Sequence, residues 1–302
     1  MSNEKPPFLW EWQPISWENA KFIMRSIGQT HIFRGQENAN WSLSSSLERS
    51  AKRQQFPRQM FDIQDKLIVD KFWRRAHQYI NNPPLKENYL EWLSIIQHYG
   101  GPTRLIDFTK SFYIAAFFAV EKNNAYENNS AIWIIHDDCV NNSFRQSAKF
   151  KENKFTQESK ERYISKVIGL DIKPPRKLVF SIAPSRLNER LAIQQSHFLC
   201  ASDLTIPFLE CMAETCDEVL DKNIPVFKDD KEVKLLFPRS TIIKCVIPGK
   251  SRKDVLDDLK SMNITATSLF PGLDGFARSL HYELSSEQIN PDYIERFVNG
   301  IK

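Results

Sequence analysis

Residues 97–109 read QHYGGPTRLIDFT, and the apolar run FYIAAFFAV (residues 112–120) follows almost at once. Gly100 suits the left-handed conformation at a helix end, and Pro102 cannot continue a helix. The pattern therefore predicts a helix over about 89–98, a short extended segment over 103–108, and a second helix to about 121 capped by Thr109 or Ser111. Six polar side chains, Gln97, His98, Tyr99, Thr103, Arg104 and Asp107, lie where a strand ends and a helix begins. Such a corner suits ligand contact, and the free N–H groups of the following helix suit an anion. The same residues also suit a purely internal network of caps and turn hydrogen bonds. Arg104 and Asp107 are three apart on extended chain, so they point to opposite faces and are not simple partners.

Working outward, Ser16 caps a predicted helix through about Ile27, and HIFRG (residues 31–35) reads as a short strand. Helical spacing runs from Phe56 to Ile80, with Met60, Ile63, Leu67, Ile68, Phe72, Ala76 and Tyr79 as its apolar face. AIWIIH, KLVFSIA and TIIKCVIPG are buried-strand candidates, and helices are expected near 157–167, 186–195, 251–262 and 287–298. The Lys-, Asn- and Ser-rich stretch 139–175 reads as a surface excursion. Interleaved helices and strands predict an α/β (α+β) fold: one mixed domain with a central sheet and surrounding helices. Residues 1–15 read as an N-terminal arm, and residues 16–302 as the domain with a helical C-terminal extension. That last helix carries Tyr293, Phe297 and Ile301, which suit packing on the domain or on a partner.

With 41% hydrophobic and 12% aromatic residues among 302, a sizeable core is expected. The net charge of +4 mildly favours an anionic ligand, but no block of like charge marks a nucleic-acid binder. Five scattered cysteines without a C-x-x-C pair disfavour a zinc site and a disulfide framework, and suggest reduced thiols in a cytoplasmic protein. No signal peptide is visible, and the apolar runs are too short to span a bilayer, so no membrane role is expected.

Arg34 ends the strand HIFRG, where a guanidinium can grip a phosphate or carboxylate through two parallel bonds, or pair with an internal carboxylate. Gly35 beside it would let a ligand approach the backbone. In NERLAIQQSHF, Glu189, Gln194, Gln195 and His197 offer an acid and amide contacts, or simply end an amphipathic helix. Asp274 in LFPGLDGFARSL reads as a cap. Motifs of P-loop ATPases, Rossmann enzymes, zincins and α/β-hydrolases are all missing.

These blocks together resemble the FRG-domain family. The resemblance rests on FRGQ with WSLSSSLER after it, on QHYGGPTRLIDFT with its AAFFA helix, on RLAIQQSHF, and on LFPGLDGFARSL, spanning roughly residues 31–280. Ser196 departs from the family's usual glycine. The family is widespread in bacteria and phages, and its occurrence suggests defence or toxin settings.

The order of features is also similar to the arginine-serine-glutamate branch of the ADP-ribosyltransferases. That resemblance implies that Arg34 steadies the phosphates and ribose of NAD, a co-substrate. It also implies that Thr109 and Ser111 supply the hydroxyl strand end, and that a glutamate near a later strand orients the acceptor. Gln194 or Gln195 occupies that place, which leaves no carboxylate base there, and Glu189 lies nearby on a predicted helix. The expected catalytic set is therefore Arg34, Thr109, Ser111 and Glu189. The expected nucleotide contacts are Arg34, Gly35, Gln36, Trp41, His98, Tyr99, Arg104, Asp107 and Gln194, with no metal. Tyr99 or Trp41 would stack on nicotinamide. Cleaving the nicotinamide–ribose bond passes through an oxocarbenium-like state that needs a negative neighbour. The expected acceptor is a protein, a nucleic acid or water. The rival expectation is a non-enzymatic module in which Arg34, His98 and Arg104 capture a nucleotide or phosphorylated partner. A nuclease with a metal on Asp107 and Glu189 ranks last.

Overall fold

The computed structural model describes residues 6–25, 30–122, 128–147, 156–183 and 189–283. The first half of the chain runs β1 (Leu9–Trp12), α1 (Trp17–Arg25), β2 (His31–Gln36), α2 (Ser46–Arg53), α3 (Phe61–Ala76), α4 (Tyr89–His98), β3 (Leu105–Thr109), α5 (Phe112–Val120), β4 (Ser130–His136) and α6 (Asp137–Ser147). The second half runs α7 (Gln157–Ile168), β5 (Val179–Ile182), α8 (Glu189–Ile193), β6 (Ser196–Ala201), α9 (Phe208–Cys216), β7 (Val226–Phe227), α10 (Asp230–Leu236), β8 (Ile242–Ile247), α11 (Arg252–Ser261), α12 (Ala266–Leu269) and α13 (Leu273–Glu283). The expected mixed α/β domain is present: the strands form one sheet of eight in the order β5-β6-β3-β2-β4-β8-β1-β7, with helices around it. The helix expected over 287–298 lies outside the described residues.

Both faces of the sheet are covered, which is why its central strands read as unbroken apolar runs. On β4, Ile132 and Ile134 pack into the core on the α5 side, while Trp133 and Ile135 pack into the core on the other face. Helix α5 is apolar all round and buried, lying across β2. Its approach decides the identity of residue 35. A Cβ on Gly35 would stand 2.0 Å from the Ala115 carbonyl oxygen and 2.5 Å from the Ala119 nitrogen. Gly35 therefore admits the backbone of α5 on the side where a Cβ would stand, and it also lines the cavity described below.

Three expectations fail for physical reasons. Residues 9–12, read as part of an arm, form an interior strand with Trp10 and Trp12 fully buried. Glu11 is tolerated there because its register partner on β8 is Lys244, whose Nζ lies 3.1 Å from Oε2. The stretch read as a surface excursion contains α6 and α7, which bury Val140, Phe144, Ile164 and Ile168. The buried side of α3 is Phe61, Asp65, Val69 and Ala76, whereas Ile63, Leu67 and Tyr79 are exposed. One carboxylate, Asp65, sits within that stripe because it faces Arg104, and this masks the stripe's apolar period in the sequence.

A cavity where the sheet divides

Strands β3 and β2 meet at a single register pair, Phe33 with Thr109. On either side of that contact β2 pairs fully with β4, and β3 with β6. The sheet thus divides between β2 and β3, and a cavity of about 280 Å³ lies at the division. Its walls include Arg34 and Glu37 from the end of β2, Gln97 and His98 from the end of α4, Asp107 and Thr109 from β3, and Arg190, Gln194 and Ser196 around α8 and β6. Glu121, Lys122 and Arg278 close another side. A smaller cavity of about 150 Å³ shares Arg34, Gln97 and Asp107 and adds Ser44, Ser46 and Arg49. A third, of about 590 Å³, shares Ser94 and Phe198 with the first.

Arg34 is largely buried yet only partly engaged. Its Nη1 donates to the Asp107 backbone oxygen at 2.7 Å, and the Asp107 carboxylate stands 3.9 Å away. Its Nε is buried with no hydrogen-bond partner among the described residues. Burial pulls the guanidinium below its ordinary pKa, with Asp107 opposing and Arg49 reinforcing that shift. Burial likewise lowers Arg49 and Arg190, and Asp107 is the first charge that opposes the shift in each. One exposed carboxylate therefore serves three guanidiniums.

Asp107 is held by Gln97, whose Nε2 donates to Oδ1 at 2.7 Å. The Gln97 amide oxygen in turn accepts from the Thr103 hydroxyl, and the Thr103 N–H donates to Ser46 Oγ at 3.0 Å. The expected internal turn network is present, and two of its members, Gln97 and Asp107, also line the cavity. Thr103 and Gln97 fix the turn, and the turn aims Asp107. At the helix end, Ser111 Oγ caps α5 by accepting from the Ile114 N–H at 3.3 Å, and Thr109 Oγ1 accepts from the Ser111 N–H at 3.1 Å. Burial and then Arg190 lower the His98 pKa, so its imidazole is neutral at pH 7.

Arg34, Gly35, His98, Asp107, Thr109 and Gln194 therefore share one cavity. Other expected site residues are placed elsewhere. Arg104 is fully buried behind β3, with Nε donating to Asp65 at 2.6 Å and Nη2 to Asp62 at 2.9 Å. Burial opposes its charge, but the two carboxylates outweigh that and raise its pKa. It points away from Asp107, as the spacing predicts. Gln36 is buried and accepts from Trp133 Nε1 at 2.7 Å. Trp41 and Tyr99 are exposed and do not line the cavity, so neither is placed to stack on a ligand inside it. Ser111 also does not line it, and Glu189 is exposed outside it. Gln194 donates to the Leu269 carbonyl at 3.0 Å, which ties its amide to the wall.

Sequence patterns missed Glu37, Gln97 as a carboxylate holder, Glu121, Arg190 and Arg278. Arg278 forms a two-pronged pair with the buried Glu121, 157 residues away, a partnership that no local signal announces. Among the described residues no group of three or more His, Cys, Asp or Glu is placed to share a metal ion. No described helix is long and apolar enough to cross a membrane.

Residues 29–128 match the FRG domain. The matched FRG segment supplies the β2, α4 and β3 walls of the cavity, while residues 190–198 and 278 supply the rest from outside it. No curated protein and no solved structure matches the chain.

Proposed function

We propose that the cavity at the divided sheet binds the phosphate-bearing part of a nucleotide, NAD in the first instance, and that the protein cleaves the nicotinamide–ribose bond. Arg34 carries this reading: a largely buried guanidinium in a cavity wall, with one hydrogen bond and an unpartnered Nε. A guanidinium has five donors and grips phosphate in two-pronged fashion, so its remaining donors fit an anion. The resemblance to ADP-ribosyltransferases also requires an arginine strand end and a hydroxyl strand end to converge near a later strand. Arg34 and Thr109 line one cavity, from β2 and β3, with Ser196 of β6 beside them, which supports that reading although Ser111 is not among them. The volume suits a diphosphate with its ribose, and a whole dinucleotide would extend into the adjoining cavities.

NAD supplies a scissile bond that breaks with its electron pair going to nicotinamide and leaves positive charge on the ribose carbon. Asp107, a carboxylate of the cavity wall on β3, would balance that charge in the role that the resemblance gives to Glu189, which lies outside the cavity. Neutral His98 is suited to take the proton of the attacking acceptor, which is a protein or nucleic-acid group or water. This chemistry fits the defence or toxin settings that the resemblance to the FRG-domain family suggests.

A binding module without turnover is the second reading. It is favoured by the engagement of two of the cavity's three carboxylates, since Glu121 is paired with Arg278 and Asp107 with Gln97. Incubation with NAD, followed by mass spectrometry for nicotinamide and for adducts, separates the two. Turnover that disappears in Arg34→Ala, with the fold retained, supports the enzyme. Saturable thermal stabilisation by nucleotides with an unchanged NAD pool supports the module.

A further inference from the structure

Resting on the nucleotide reading, we propose that Arg190 forms a second anion subsite of the same cavity, so that the protein selects ligands carrying two linked phosphates over those carrying one. The geometry begins with Phe270. Its ring is flanked by two guanidiniums, Arg278 at 4.0 Å and Arg190 at 4.6 Å from the ring centroid. Stacking on an aromatic face fixes the plane of a guanidinium while leaving its N–H edge available.

The two arginines are not equivalent. Arg278 is neutralised by its two-pronged contact with Glu121. Arg190 has no hydrogen bond from its guanidinium among the described residues, although it is half-buried in the cavity wall. Among the described residues, Asp107 and Asp274 are the carboxylates whose field favours its charge, while burial and Arg278 oppose it. Asp107 is also the carboxylate nearest Arg34 and is already bonded by Gln97. Arg34 and Arg190 thus present unengaged donors from different elements, β2 and α8, with one shared carboxylate.

The charge inventory agrees. The main cavity and the smaller one beside it hold five cations, Arg34, Arg49, Lys122, Arg190 and Arg278, against three carboxylates, Glu37, Asp107 and Glu121. With His98 neutral, the excess of about two positive charges favours an anionic ligand; a single phosphate monoester meets that count as well as a diphosphate does, so the preference for two linked phosphates rests on the placement of Arg190 and not on the net charge.

Calorimetric titration of the full chain with AMP and with ADP tests this. Wild type is expected to bind ADP at least about tenfold more tightly than AMP. Arg190→Ala should bring ADP to within about twofold of AMP while leaving AMP unchanged, and Arg190→Lys should fall between. Phe270→Leu, which removes the stacking platform, should erode the preference in the same direction. Lys52→Ala, an equal loss of charge on α2 outside the cavity, should leave it intact. Equal affinities in wild type, or an Arg190→Ala loss that is the same for both nucleotides, would overturn the second subsite while leaving the nucleotide reading standing. Failure of both nucleotides to bind would overturn the two together.

Discussion

Arg34 near the end of β2 and Arg104 just before β3 are both guanidiniums taken into the fold, yet the fold uses them in opposite ways. Behind β3, helix α3 delivers Asp62 and Asp65, one turn apart, to Arg104, and the group is sealed from solvent. At the division of the sheet no described helix delivers a carboxylate to Arg34. Its nearest one is 3.9 Å away on an exposed Asp107. A buried charge with complete partners holds elements together, whereas a buried charge with incomplete partners holds capacity for a ligand. The difference lies in what covers each guanidinium, since both arginines sit in comparable strand-edge sequence.

The largest expected effect tests the saturated member. Arg104→Ala strands Asp65 in the core, and chemical denaturation should show a loss of about 3–5 kcal/mol. Arg34→Ala should cost under about 1 kcal/mol in the same measurement, because it removes one hydrogen bond to a backbone oxygen. Equal losses would erase the contrast. The next effect is on chemistry. Arg34→Ala and Asp107→Asn should each lower nicotinamide release on the order of a hundredfold, while Arg104→Lys, if it folds, should leave release near wild type.

Gly35→Ala comes third. Its new methyl meets the Ala115 and Ala119 backbone, so calorimetry should report a loss of about 1–3 kcal/mol as α5 is pushed from β2. The smallest effect concerns a third buried cation, Lys160, whose Nζ donates to Asn141 Oδ1 at 2.7 Å. Burial lowers its pKa to about 8, with Asp137 opposing. The folded chain therefore releases this proton near pH 8 while the unfolded chain keeps it to about 10.5, so this group makes stability rise between those values. Relative to wild type, Lys160→Met should gain on the order of 1 kcal/mol at pH 7 and less at pH 9.5.

Legibility followed locality. The turn at Gly100, the Ser111 cap, the helix over 89–98 and the strands at Arg34 and in AIWIIH are governed by neighbours in sequence, and each stands where its pattern places it. Strand β6 was hidden because SHFLCA follows a helical pattern directly and is short. Strand β1 was hidden because Glu11 breaks its apolar run and its neutralising Lys244 is 233 residues away. The cavity was half legible. Arg34, His98, Asp107 and Thr109 belong to recognisable blocks, but Arg190 and Arg278 look like ordinary surface arginines until Phe270 gathers them.

The sequence by itself determined the α/β class, most helix and strand positions in the first half of the chain, and the block that bends from α4 through β3 into α5. Periodicity, capping and turn chemistry act within a few residues, so they are written locally. Only the tertiary structure decided which arginine is saturated and which remains available, where the sheet divides, and which carboxylate stands beside the cavity. Those outcomes depend on pairings across tens to hundreds of residues, and on burial that changes what a charge costs.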